Sequence, residues 1–441
     1  MHEGAAEAAT MERSEAMITS ILGHFAGKEH RLTIPYDLTD LIRIDHAAEC
    51  DPRDAGMTQE GVDAIWNKVL DHYRTGYQPA ISICLRRRGK VVMKRSVGHA
   101  AGADPSDPVD GPKQVMDPAT PVCVFSASKA VTGMLIHLLD ERGSLHIDDR
   151  VVEYIPEFGK YGKDTITLRH VLTHRAGIPF AKQKGRETDI LADWNAVLSL
   201  LCESAPRSRH GRRLSYHAIT GGFILGEVIQ RVTGKSIATV LDEEFRSKLG
   251  MDYFTYGMRP EQLPLLARSS MMGEAPKPPF DLILKRALGI EFDKIAELAN
   301  DPVFLTSVVP SGNMVATAEE MSRFYQMLLD GGRAGEHEIF ESRTVRRARN
   351  ESAYLELDHT LLLPVRYGLG FMLGGDLASL YGPDSGEAFG HLGFSNMMTW
   401  ADPSREISVG YLTTGKTFVP LELWAQREAL AAISEHCHRL R

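Results

Sequence analysis

The chain predicts an α/β (α+β) fold: an antiparallel sheet flanked by helices, built from both ends of the sequence around a mainly helical insertion. Three observations carry that expectation. Runs with strand-like alternation sit towards both ends, at Ala80–Leu85 with Val91–Met93 and again at Asn396–Trp400 with Ile407–Leu412. Between them, up to about residue 310, apolar residues recur mainly at helical spacing. The 441 residues, 43% of them hydrophobic, suffice for substantial cores in one large or two medium domains.

Residues 1–55 are charged and irregular and are expected to form an N-terminal extension. A helix follows over about Gln59–Thr75, then a hairpin in which Ala80–Leu85 turns at Arg88-Gly89 and returns through Val91–Met93. Asp104–Pro118, rich in Asp, Pro and Gly, reads as a loop. The next helix carries Met134, Ile136, Leu138 and Leu139 and is stopped by Gly143. Helical spacing continues at Leu168–Leu172, Ile190–Leu201, Ile219–Val232 and Ile237–Leu249. Tyr367–Met372 reads as a strand, Asp402–Arg405 as the turn between the last two strands, and Leu421–Cys437 as a closing amphipathic helix. The expected division is 56–140 with 311–441 for the sheet-bearing domain and 141–310 for the helical one.

A formal charge of -8 and a pI near 6.1 argue against a nucleic-acid binder, which normally carries a basic excess. No apolar run approaches the length of a membrane span. The first residues, with Glu3, Glu7, Glu12, Arg13 and Glu15, lack the apolar core of a secretory signal. Five scattered cysteines without a C-x-x-C pair read as reduced thiols. The expectation is a cytoplasmic protein acting on a small molecule.

The chemistry concentrates in Val124-Phe125-Ser126-Ala127-Ser128-Lys129, at the head of an apolar helix. Residues i and i+3 share a helical face, so the Lys129 amine can reach the Ser126 hydroxyl. A serine needs a base to become a nucleophile, and a lysine serves only if burial or a helix dipole lowers its pKa. Leu214-Ser215-Tyr216-His217-Ala218 opens a second helix, and a phenol beside an ammonium is drawn towards phenolate. The plainer reading is a tyrosine that anchors a loop. Phe389-Gly390-His391-Leu392-Gly393-Phe394 sits at a strand. Gly393 permits close backbone approach, and the Phe394 amide can pair with that of Ser126 as an oxyanion hole. Alternatively these glycines mark only a turn.

Together these segments resemble the serine β-lactamase-like superfamily, in particular class C β-lactamases, D-Ala-D-Ala peptidases and family VIII carboxylesterases. The resemblance runs from about residue 60 to 415. It includes Ile166–Pro179, similar to the family's I-T-[LI]-R-x-L-L-x-H-T-S-G-[LI]-P stretch. Leu249-Gly250-Met251, Ala316–Met321, Leu328–Gly332 and Tyr367–Phe371 match further segments in family order. The resemblance implies a β-lactamase/transpeptidase-like fold with Ser126 as acylated nucleophile, Lys129 as adjacent base and Tyr216 as shared base and later acid. His391-Leu392-Gly393 takes the place of the family's Lys-Thr-Gly, with Ser126 and Phe394 supplying the oxyanion amides. It implies no metal and no organic cofactor.

Two departures bear on substrate. The family's Tyr-x-Asn is Tyr-x-Ala here, at Ala218, and its Lys-Thr-Gly lysine is His391. Both changes remove groups that recognise an amide and a carboxylate. The expected function is therefore a carboxylesterase, with acyl transfer, β-lactam or D-amino-acid peptide cleavage, and a catalytically silent scaffold as rivals. Gly410–Thr417 fits the P-loop pattern, but Pro420 places the following helix too late, so it reads as a strand end. His170 and His174 lack the glutamate of H-E-x-x-H and read as structural. The arginines at 207, 209, 212 and 213 read as a solvated loop.

Overall fold

The computed structural model describes residues 30–108, 110–178, 189–274, 281, 297–376 and 379–440. The motif residue Pro179, the loop 180–188 and most of the stretch 270–300 lie outside the described residues.

Nine strands form the path of a ten-stranded antiparallel sheet. In chain order they are β1 (Ile42–Ile44), β2 (Ala80–Arg87), β3 (Lys90–Ala101), β4 (Ala353–Leu357), β5 (Pro364–Tyr367), β6 (Met372–Leu373), β7 (Phe389–Leu392), β8 (Met398–Asp402) and β9 (Ile407–Thr413). Their spatial order is β1-β3-β2-β9-β8-β7-β6-β5-β4, with Gln114–Val115 paired to β3. The two chain ends meet where β2 pairs with β9, Ile81 opposite Thr413 and Cys84 opposite Gly410. Residues 42–44, inside the stretch expected as an extension, supply the edge strand beside β3.

The period-2 pattern of β9 sets what each sheet face can hold. Ile407, Val409 and Tyr411 join one core with Ile81, Ile83 and Leu85 of β2. That core is capped by α1 (Gln59–Arg74) and the C-terminal helix Pro420–His436. On the opposite face, Ser408 and Gly410 are small. A Cβ at Gly410 would lie 2.2 Å from the Ala318 carbonyl oxygen, so glycine lets the helix at 318 press onto the sheet.

The helices then follow as α2 (Ser128–Glu141), α3 (Leu168–Leu172), α4 (Trp194–Glu203), α5 (Thr220–Thr233), α6 (Ala318–Leu329) and α7 (Pro420–His436). The α2 helix is apolar nearly all round and buried from Ser128 to Leu139, the signature of a central helix. Thr58 caps α1, and Thr317 with Glu320 forms a reciprocal capping box on α6. The expected strand Tyr367–Met372 is instead a hairpin. β5 ends at Tyr367, the chain turns through Gly370 at φ 105°, and β6 begins at Met372. Glycine at that φ permits the turn that an unbroken apolar run conceals.

A buried polar knot ties both chain ends together. Glu422 of α7 accepts from Gln78 Nε2 (2.6 Å) and pairs with His72 Nε2 of α1 (2.6 Å), whose Nδ1 meets the Tyr411 hydroxyl of β9 (2.7 Å). Truncating the carboxylate strands two buried polar groups. Glu422→Ala is therefore expected to lower stability by roughly 2–4 kcal/mol, read as a fall in the urea midpoint at unchanged slope.

Candidate active site

The Ser126 segment is placed by strand pairing outside the main sheet. Val122–Cys123 pairs with Met314–Ala316, and the Val124 N–H donates to the Met314 carbonyl (2.8 Å). Phe125 then adopts a left-handed φ of 47°, strained for a non-glycine residue, and a short 3₁₀ turn carries Ser126 into α2. The Ser128 hydroxyl pins this turn, donating to the Phe125 carbonyl and accepting the Met314 N–H (3.1 Å). Ser126 is half-buried at the head of the helix.

Lys129 lies one turn on. Its Nζ is in hydrogen-bond contact with Ser126 Oγ (3.0 Å) and donates to the Ser311 carbonyl (2.8 Å). Burial holds its pKa well below that of a free lysine. Among the described residues no carboxylate contributes to that shift, so desolvation prevails and the free amine is favoured. The Ser311 contact escapes sequence reasoning. Pro310-Ser311-Gly312 has turn chemistry, but nothing in it says that its carbonyl meets the lysine.

Tyr216 approaches from the loop before α5, its ring centroid 4.8 Å from Lys129 Nζ. The hydroxyl is buried without a hydrogen-bond partner among the described residues. Burial raises its pKa, opposed by the nearby Ser126 hydroxyl, which lies outside hydrogen-bond geometry. The sequence expectation of a phenol drawn towards phenolate is thus overturned. Lys129 sits over the ring, and desolvation favours a neutral phenol beside a neutral amine. Asp358 fixes the tyrosine's backbone: its Oδ1 accepts the N–H groups of Tyr216 (3.1 Å), Thr360 (2.8 Å) and Leu361 (3.0 Å).

His391, Gly393 and Phe394 come in on β7 and the turn after it, and β7 packs beside the Phe125 turn. A Cβ at Gly393 would meet the Val124 carbonyl oxygen at 2.8 Å, so glycine is required where this turn crosses the nucleophile's strand. The Phe394 ring lies 6.0 Å from that of Phe125, which brings the two expected oxyanion segments side by side. His391 is 1% exposed and its ring lies 6.2 Å from that of Tyr216. Its Nδ1 donates to the Leu392 carbonyl (2.7 Å), which leaves Nε2 as a lone pair without a partner among the described residues. Burial, with Lys129 adding to it, lowers its pKa to about 3.

Two further histidines complete the wall. His174, at φ 57° beyond the end of α3, packs its ring 4.7 Å from Tyr216 and accepts the His217 N–H on Nδ1 (3.2 Å). His170 instead turns to Thr167 and His210, so the i,i+4 histidines do not converge. Among the described residues no cluster of His, Cys, Asp and Glu is arranged to hold a metal ion, and no helix is long and apolar enough to cross a membrane. Lys416 of the P-loop-like segment is buried in a two-residue strand, and α7 begins at Pro420.

The beta-lactamase family model matches residues 66–433. The esterase/beta-lactamase LipL of Mycobacterium tuberculosis is 27% identical over 305 residues, 65% of this chain and 67% of that protein. A penicillin-binding protein homologue from Caulobacter crescentus superposes with a TM-score of 0.72 at 25% identity, covering 86% of this chain and 98% of the other. A family VIII carboxylesterase superposes with a TM-score of 0.71 at 24% identity, covering 85% and 98%.

The histidines around the site have a measurable consequence. Burial lowers His137 to about 4, His217 and His391 to about 3, and His174 well below its ordinary value. Below the unfolded value of 6.5, the unfolded chain binds protons that the folded chain excludes. Stability is therefore expected to fall from pH 6.5 towards pH 4, by about 1 kcal/mol per pH unit for each such histidine. Urea unfolding at pH 7.5, 5.5 and 4.5 measures this; a midpoint that does not move would contradict neutral burial of the histidines.

Proposed function

We propose that this chain, which belongs to the beta-lactamase family and is a serine hydrolase, cleaves neutral carboxylic esters through an acyl-enzyme on Ser126. The observation that carries the reading is that, among the described residues, a buried neutral histidine stands where the family's lysine would meet a substrate carboxylate. His391 is buried, donates its one N–H to the Leu392 carbonyl and is held neutral. Ala218 offers no hydrogen bond to a side-chain amide. Lys129 is itself desolvated, and so is Lys416, whose Nζ lies 5.0 Å from the Phe125 ring centroid and donates to the Thr413 carbonyl. Bringing a carboxylate into such surroundings costs several kcal/mol in lost hydration without a partner, whereas an ester brings none. The resemblance to an esterase/beta-lactamase supports the same chemistry.

In this mechanism Ser126 Oγ attacks the ester carbonyl as its proton passes to the Lys129 amine, 3.0 Å away. The amides of Ser126 and Phe394 stabilise the oxyanion, worth about 3 kcal/mol per donor in comparable sites. Tyr216 relays the proton from Lys129 to the departing alcohol, since its raised pKa keeps the phenol protonated between transfers. Water then repeats the sequence and releases the acid. Because the amine form of Lys129 is required, activity rises as pH increases through a pKa that burial has lowered.

Parallel assays with p-nitrophenyl butyrate and nitrocefin, on wild type and Ser126→Ala, test the reading. The expected result is ester turnover that falls by about 10³-fold or more in the variant, with nitrocefin turned over slowly or not at all. Fast serine-dependent nitrocefin hydrolysis would identify a β-lactamase instead.

A further inference from the structure

Beside the base lies a small cavity of about 20 Å³. Its walls include Lys129, His174 and His217, with Val171, Gly221 and Leu225 among the apolar lining. A cavity that admits a water needs about 10–15 Å³ and at least two polar partners. This one has the volume for a single water, and its polar walls are not fully engaged.

His217 supplies the first open group. It is fully buried, and its Nε2 accepts the Ile178 N–H at 3.2 Å. An accepting Nε2 places the ring's hydrogen on Nδ1, and Nδ1 has no hydrogen-bond partner among the described residues. A buried N–H donor without an acceptor is rare and costly. Lys129 supplies the second: Nζ is occupied by Ser126 Oγ and the Ser311 carbonyl, which leaves one of its tetrahedral positions open.

The geometry points to a single water in this cavity that accepts from Nδ1–H of His217 and from Nζ of Lys129, making His217 a positioning residue for the base. The inference rests on the assignment of Ser126 and Lys129 as nucleophile and base, not on the identity of the ester. As the free amine, Lys129 has two hydrogens and one lone pair. With one hydrogen on the Ser311 carbonyl and the other on the water, the lone pair points at the Ser126 hydroxyl. When the serine proton arrives, the three N–H bonds of the ammonium occupy the same three directions. Neither partner has to move, which is the sense in which such a site is preorganised. His217, two neighbours removed from the reaction, fixes the water and through it the rotation of the amine.

Gly221→Ala tests this without removing a polar group. Gly221 lies in α5, and an added Cβ would sit 3.4 Å from His217 Cβ and 3.5 Å from Val171 Cγ1, ordinary contacts in the cavity wall. The methyl displaces the water, and alanine favours the helix. We expect labelling of Ser126 by a fluorophosphonate at pH 7 to slow about ten- to hundredfold. The kcat for p-nitrophenyl butyrate should fall in parallel with KM little changed, and the Tm should be no lower than that of wild type. A crystal structure of the wild type should show a density peak within hydrogen-bond distance of both nitrogens. Equal labelling of wild type and Gly221→Ala, or an empty cavity in the wild-type map, overturns the inference. A wild type that is not labelled at Ser126 overturns the nucleophile assignment first, and this inference with it.

Discussion

The site depends on one constraint: an amine is buried with no acid beside it among the described residues. Paired with a carboxylate, Lys129 would hold its proton and could not serve as a base. The described surroundings meet this condition. Its hydrogen-bond partners are a hydroxyl and a carbonyl. The nearby rings, Tyr216, His174, His217 and His391, are all kept neutral by burial. Asp358, the carboxylate behind Tyr216, spends one oxygen on three backbone N–H groups and makes no contribution to the lysine's shift. Desolvation alone then lowers the pKa.

Holding a charge-poor site rigid is a backbone problem, and the fold answers it with close approaches. Gly410 lets α6 press on the sheet, and Gly393 lets the turn after β7 cross the nucleophile's strand. A Cβ on Gly133 of α2 would lie only 3.4 Å from Gly370 Cα in the β5–β6 turn, so paired glycines bring the nucleophile's helix against the hairpin. Phe125, next to Ser126, and His174, packed on Tyr216, both adopt left-handed φ. Strain of that kind persists only where surrounding contacts over-determine it, and here the Ser128 hydroxyl and the Met314 strand do so for Phe125.

Much of this is legible in the sequence, for reasons that differ by element. The Ser126/Lys129 spacing is a local helical relation, so the structure has little freedom to separate the two. The sheet built from both ends follows from period-2 alternation in β2, β3 and β9, each long enough to show it. The hairpin at Tyr367–Met372 passes for one strand because its apolar residues run on through the turn, and only Gly368 and Gly370 hint otherwise. The Ser311 carbonyl and the Asp358 clamp leave no trace, because a backbone oxygen has no side-chain signature and Asp358 lies 142 residues from the tyrosine it holds. The direction of the Tyr216 shift is hidden for a related reason. Sequence gives the presence of a neighbouring lysine, whereas burial, which decides the sign, is a property of the assembled site.

The departures at Ala218 and His391 acquire a common meaning in these terms. A second cation beside Lys129 would lower its pKa by repulsion even in a wet cleft. With a neutral His391 in that position, dryness has to do the work alone. Ser126 is half-buried, so water reaches the cleft from the substrate side. An apolar acyl group that fills the cleft excludes that water and leaves the amine drier than in the free enzyme, which favours its unprotonated form at the moment of attack. An anionic acyl group would carry its own hydration in and raise the pKa again. In the proposed mechanism, the same lack of charge that disfavours a carboxylate therefore ties activation of the base to occupation of the cleft by a neutral, apolar ester.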